Sequence, residues 1–160
     1  MDERNLSILK AALNAQIQAI DQIIGKIHER KSHYAEDVHV TESLGYQLHN
    51  LYCAFEDLFE FVAKCFENNI EDTSRYHIEL LKRMTLDIEG VRPPLISREL
   101  YVALDELRAF RHVFRHAYAY EIDPDKIALL LKKFDEIEAN YKNDLQRFLT
   151  LLTDVSDLQT

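Results

Sequence analysis

Residues 44–66 read LGYQLHNLYCAFEDLFEFVAKCF. Leu44, Leu48, Leu51, Tyr52, Phe55, Leu58, Phe59, Val62 and Phe66 recur at helical spacing and form a broad apolar face. A helix apolar over so wide an arc is predicted to lie at the centre of the core.

The neighbouring segments repeat this period. Upstream, Leu6, Leu9, Leu13, Ile17, Ile20, Ile24 and Ile27 advance in steps of three and four, predicting a first helix from about residue 3 to the low thirties. The polar stretch His28–His33 should fray, and His28, His33 and His39 suggest nothing specific in this first connection. Thr41 reads as the N-cap of the second helix and Asn68-Asn69 as its end. Asp72, Thr73 or Ser74 can cap a shorter third helix carrying Tyr76, Leu80, Leu81 and Met84. Gly90-Val91-Arg92-Pro93-Pro94 is the strongest break in the chain. Ser97 then opens a fourth helix reaching to about Tyr120. Asp123 followed by Pro124 is a cap with proline at the first helical position, and a fifth helix runs on through Leu152. With only 3 Gly and 3 Pro among 160 residues there are few other places to break a helix. The expected fold is all-α, an antiparallel bundle of about five helices, with residues 1–160 as a single domain.

Composition narrows the function. Apolar residues make up 47% of the chain, enough for a packed core. No apolar run approaches a membrane span, and the Met-Asp-Glu-Arg start has no leader-like apolar stretch, so a cytoplasmic protein is expected. Cys53 and Cys65 lie on one predicted helix about 18 Å apart and cannot pair within it. They read as reduced core thiols with no base nearby. The formal net charge of -9 disfavours nonspecific binding to long nucleic acid, but it permits a small local site for RNA.

Such a site is suggested by Arg111-His112-Val113-Phe114-Arg115-His116-Ala117-Tyr118, with Arg108 one turn upstream. On a helical wheel Leu100, Leu107 and Phe114 face the core, with Ala103 and Phe110 to one side and Arg111 at the border. His116 falls about 140° from Arg111 on an ideal helix. A loosened helix end, a ligand wrapped around the helix, or two chains sharing a cleft would bring the two groups together, and the last predicts a two-fold homodimer. Arginine offers a planar fork of donors to phosphate, and histidine trades a proton near neutral pH. Ribonucleic acid supplies its own nucleophile, the 2′-hydroxyl, so a base, an acid and a cation suffice for cleavage without metal. His112 and His116 stand four residues apart, but no carboxylate or cysteine is placed to complete a metal set, and arginines surround them. Neither a metal nor a cofactor is expected. His49 and His77 read as polar helix positions.

Arg111-x4-His116 resembles the signature of the HEPN superfamily of all-helical ribonucleases, and the longer Arg111-x4-His116-x-Tyr118 resembles the HepT toxins of MNT–HepT toxin–antitoxin modules. The likeness extends to Leu48–Asp57, Tyr76–Leu81, Gly90–Pro94 and the segment around Asp123. The resemblance implies a homodimer and metal-independent cleavage of RNA, with transfer RNA among the candidates. It makes Arg111 and His116 catalytic, with Arg108, His112 and Arg115 holding phosphates. It also implies a partner, a nucleotidyltransferase antitoxin that silences the toxin by AMP transfer to Tyr118. Added phosphate there would pair with Arg111 and Arg115. The competing expectation is a noncatalytic helical adaptor that binds a nucleotidyltransferase or a nucleotide through the basic patch.

Overall fold

The computed structural model describes residues 3–67, 75–116 and 121–157. They form five helices: α1 (Glu3–Arg30), α2 (Val38–Phe66), α3 (Tyr76–Arg83), α4 (Arg98–Arg115) and α5 (Pro124–Asp157). Helix α2 packs against each of the other four, α1 pairs most extensively with α2, and α4 with α5. Cross-links fix the antiparallel sense. Gln16 Nε2 donates to the Ala54 carbonyl at 2.7 Å, while Arg30 Nε donates to Ser43 Oγ at 2.8 Å. Asp21 meets Tyr141, and His28 meets Glu138 at 2.7 Å. The central position of α2 follows from its apolar arc: Leu44, Leu48, Leu51, Tyr52, Phe55, Phe59 and Val62 are all fully buried. No described helix is long and apolar enough to cross a membrane.

Several expected boundaries are met. Ser97 caps α4, its hydroxyl accepting from the Leu100 N–H at 3.3 Å. The same Ser97 donates from both its N–H and its hydroxyl to Asp144 on α5, at 2.7 and 2.6 Å. Asp123 accepts from the Asp125 N–H at 2.9 Å ahead of Pro124. Others move. The cap of α2 is Asp37, whose carboxylate accepts from the His39 N–H at 2.7 Å, and Thr41 lies inside the helix. Thr41 is buried there, its hydroxyl donating to the Tyr34 and Asp37 carbonyls, so it closes the connection from α1 instead of starting the helix. His28 belongs to α1, not to the connection. Helix α2 ends at Phe66, with Glu67 as its C-cap, and α4 stops at Arg115. Asn68, Asn69, Asp72, Thr73, Ser74 and Tyr120 lie outside the described residues.

The predicted break is a tight loop. Gly90 has φ 75, and Ile88 and Arg92 exchange backbone hydrogen bonds of 2.9 and 3.0 Å. A side chain at φ 75 would be strained, which is why glycine stands there. Arg92, read from the sequence only as part of the break, is a structural cation with a 0% exposed side chain. Its Nε donates to Glu67 at 2.8 Å, and its remaining donors reach the carbonyls of Arg83, Leu86 and Pro93 at 3.0–3.2 Å. One guanidinium thus ties the end of α2 and the end of α3 to the loop before α4.

Arg92→Met should therefore destabilise the fold by about 2–4 kcal/mol, because it takes a donor from three carbonyls and leaves the half-buried Glu67 with its Arg83 contact at 3.0 Å. Urea unfolding would register this as a lower midpoint at unchanged slope. A midpoint within experimental scatter of the parent would show that Arg92 is dispensable.

Candidate active site

The end of α4 is amphipathic in an unusual way. Leu100, Ala103, Leu104, Leu107 and Phe110 are buried, Phe114 is half-buried, and the cations are distributed around that stripe. Arg111, at its border, turns inward. Its side chain is only 16% exposed, and Nη2 lies 3.6 Å from Glu56 on α2. Glu56 is itself buried at 7% and accepts from Nδ1 of His77, on α3, at 2.7 Å. His77 Nε2 lies 3.5 Å from Arg111 Nη1. One buried carboxylate thus gathers a guanidinium and an imidazole from two other helices.

His49 completes the inner wall. Its ring stacks on Phe114 at 5.1 Å between centroids and 25° between planes. Its Nε2 lies 3.6 Å from Cys53 Sγ. The expectation that no base stands near Cys53 is therefore corrected: residues 49 and 53 are one helical turn apart and share a face. Cys65 is exposed and not a core thiol. Burial, then the charges of Arg111 and Arg115, lower the His49 pKa below its ordinary 6.5. The Tyr52 hydroxyl is pushed well above its ordinary value by burial and then by Glu56. Arg111 Nε and His49 Nδ1 are buried without a hydrogen-bond partner among the described residues. Both lie where α2 meets α4. Orphaned buried polar atoms are rare in folded proteins, and two of them together mark the site.

His116 lies elsewhere. It is the C-cap of α4, and its backbone N–H turns back to the Val113 carbonyl at 3.2 Å, so the helix leaves regular α geometry there. Its Nδ1 donates to the His112 carbonyl at 2.7 Å, leaving Nε2 to point outward. The rings of His112 and His116 approach to 4.7 Å, and both line a groove of about 320 Å³ against Ile122 and Lys126 at the start of α5. Arg108 pairs with Asp105 at 2.7 Å and Arg115 is exposed. Arg111 thus meets α2 and α3 while His116 lines the groove beside α5. Tyr118 lies outside the described residues. Among the described residues no group of three or more His, Cys, Asp or Glu is arranged to hold a metal ion.

Sequence reasoning missed Glu56, His49 and His77 as neighbours of Arg111. The one available signal was a charged residue, Glu56, among the apolar positions of α2; its partners come from remote segments.

An all-helical bundle with Arg-x4-His closing its fourth helix belongs to the HEPN class of proteins. The family model described as HepT-like protein matches residues 43–152, which is more than half of the chain, and the chain belongs to that family. Searches of curated proteins and of solved structures return no match.

His49 makes folding dependent on pH. Its folded pKa is lowered, so below 6.5 the unfolded chain binds more protons than the folded one. Its contribution should be whole above that value, be lost as pH falls through it towards the folded pKa, and change no further below. His49→Phe, which keeps the stack on Phe114, should flatten the loss of stability measured by denaturant unfolding between about pH 7.5 and about pH 5. An unaltered slope would show that His49 is not the titrating group.

Proposed function

We propose that the protein is the toxin of a toxin–antitoxin module, a cytoplasmic, metal-independent endoribonuclease of which residues 1–160 form one domain. The observation that carries this reading is the family match together with Arg111-x4-His116 at the end of α4, a motif that Tyr118 extends in the sequence. In the reaction the 2′-oxygen of RNA attacks the adjacent phosphorus, and the bond to the 5′-oxygen breaks. A 2′,3′-cyclic phosphate and a 5′-hydroxyl result. Arg111 stabilises the charge on the phosphorane, and His116 handles a proton through its free Nε2. Arg108, His112 and Arg115 hold flanking phosphates.

The geometry supports this division. Arg111 is braced from behind by Glu56 and His77, so little freedom is lost when it meets a phosphate. His116 is tethered through Nδ1 and presents its other nitrogen to the outside. The two groups lie on different sides of α4, so a two-fold homodimer with the motifs facing across a cleft is the arrangement that unites them. A nucleotidyltransferase antitoxin silences the toxin by transferring AMP to Tyr118. The added phosphate then pairs with Arg111 and Arg115 where the RNA phosphate would sit.

His116→Ala and Arg111→Ala should each reduce cleavage of labelled RNA in chelator by about 100-fold or more, and should abolish toxicity in growing cells. Product ends should carry cyclic phosphate. Full cleavage by His116→Ala would remove His116 from the mechanism. Binding of RNA without cleavage by the parent would favour the adaptor. Co-expression with the cognate nucleotidyltransferase should add the mass of AMP to the parent and not to Tyr118→Phe.

A further inference from the structure

We propose that His77, held by Glu56, is a second proton-transfer group of the site; this rests on the ribonuclease reading above. Cleavage by the 2′-hydroxyl moves two protons, one off the attacking oxygen and one onto the leaving oxygen. The Arg-x4-His motif supplies one imidazole. The structure places another beside Arg111, on a helix outside the motif.

The two histidines are tethered alike. His116 spends Nδ1 on the His112 carbonyl, and His77 spends Nδ1 on the Glu56 carboxylate, each at 2.7 Å. His116 Nε2 is left for other work, while His77 Nε2 accepts the long contact from Arg111 Nη1, which an incoming 2′-hydroxyl must replace. For His77 the carboxylate fixes the tautomer with hydrogen on Nδ1, so Nε2 carries the lone pair. That nitrogen is 3.5 Å from Arg111 Nη1, and the side chain is 40% exposed, so an RNA strand can reach it. A carboxylate-oriented imidazole next to a phosphate-binding guanidinium has the geometry of a general base. The charged groups facing His77 are Glu56 from α2 and Arg111 from α4, with the Tyr76 ring beside it on α3.

The step runs as follows. His77 Nε2 takes the 2′-hydroxyl proton as the bond from the 2′-oxygen to phosphorus forms. Arg111 stabilises the phosphorane. The bond from phosphorus to the 5′-oxygen breaks, and that oxygen takes a proton from the His116 imidazolium. Exchange with water then returns both histidines to their starting states. Glu56 touches no substrate and is a positioning residue.

His77→Asn is the decisive variant, because the asparagine amide can still donate to Glu56 while nothing replaces Nε2. In the RNA assay with chelator its kcat should fall by about 100-fold or more with KM within about twofold, and the acidic limb of the pH–rate profile should vanish. A purely structural role for His77 would leave that limb in place. Glu56→Gln should lower kcat by about 10-fold or more, because His77 and Arg111 both lose the carboxylate that holds them, and should also displace the same limb. Should His77→Asn melt far below the parent, Glu56→Gln decides, and an unmoved limb overturns the proposal. Parent-like kcat and pH profile in His77→Asn would overturn it too, while loss of cleavage in His116→Ala left the ribonuclease reading standing. A parent protein that cleaves no RNA would sink both.

Discussion

The carboxylate of Glu56 governs the working end of this bundle. A buried ionised group is tolerated only when cations and donors surround it. Glu56 meets that demand by drawing His77 from α3 and Arg111 from α4, at 2.7 and 3.6 Å. The consequence is geometric. Helix α4 is held with Arg111 turned towards α2, and α3 with His77 turned towards the same point. The apolar core of α2, α4 and α5 sets where the helices lie and how they are rotated, since Leu100, Ala103, Leu104 and Leu107 of α4 are fully buried in it. The polar contact adds a directional restraint at the far end of α4, where the apolar stripe gives way to cations.

The parts of this arrangement legible in the sequence are those written locally. Helical periodicity is a property of neighbours three and four apart, which is why all five helices could be anticipated from their apolar stripes. The caps at Ser97 and Asp123 are likewise contacts within a few residues. Thr41 shows where local reading fails. Asp37 and Thr41 both have capping side chains, and the choice between them was settled by burial of Thr41 under the Tyr34 carbonyl. Arg92 shows the same limit more sharply. In sequence it is one residue in a proline-rich break; in space it is sealed among carbonyls and Glu67, a partner 25 residues away. The motif histidine and arginine were legible as residues, and their wheel angle rightly separated them. The cluster around Glu56 was not: His49 and Glu56 stand two turns apart on α2, but His77 and Arg111 come from separate helices at no spacing that links them.

Placement of Arg111 and His116 on different sides of one helix also carries an energetic meaning. A guanidinium already close to a carboxylate is partly neutralised, so on the ribonuclease reading proposed above a phosphate must compete with Glu56 for it. That lowers ground-state binding to Arg111. The competition is less severe when the phosphate gains a further negative charge in the phosphorane, because the attraction then grows while the Glu56 contact is unchanged. An arginine restrained in this way favours the transition state over the bound substrate, which is the difference that accelerates a reaction. A free arginine on the surface would bind RNA more tightly and gain less on the way to the transition state.

The overall charge of -9 fits the same scheme once distance is considered. At physiological ionic strength charges are screened over about 8 Å, so on the ribonuclease reading an RNA phosphate near Arg111 and Arg115 senses those cations far more than the distant carboxylates of α5. Net acidity does oppose approach of a long polyanion from afar, and so penalises binding that is not anchored at the site. Affinity must then come from a few short contacts, and these are directional: bidentate arginine, tethered imidazole. A strongly basic protein would bind any RNA along its length. On the same reading, an acidic one with a compact cationic end is restricted to substrates that present a phosphate and its 2′-hydroxyl in the orientation the site demands.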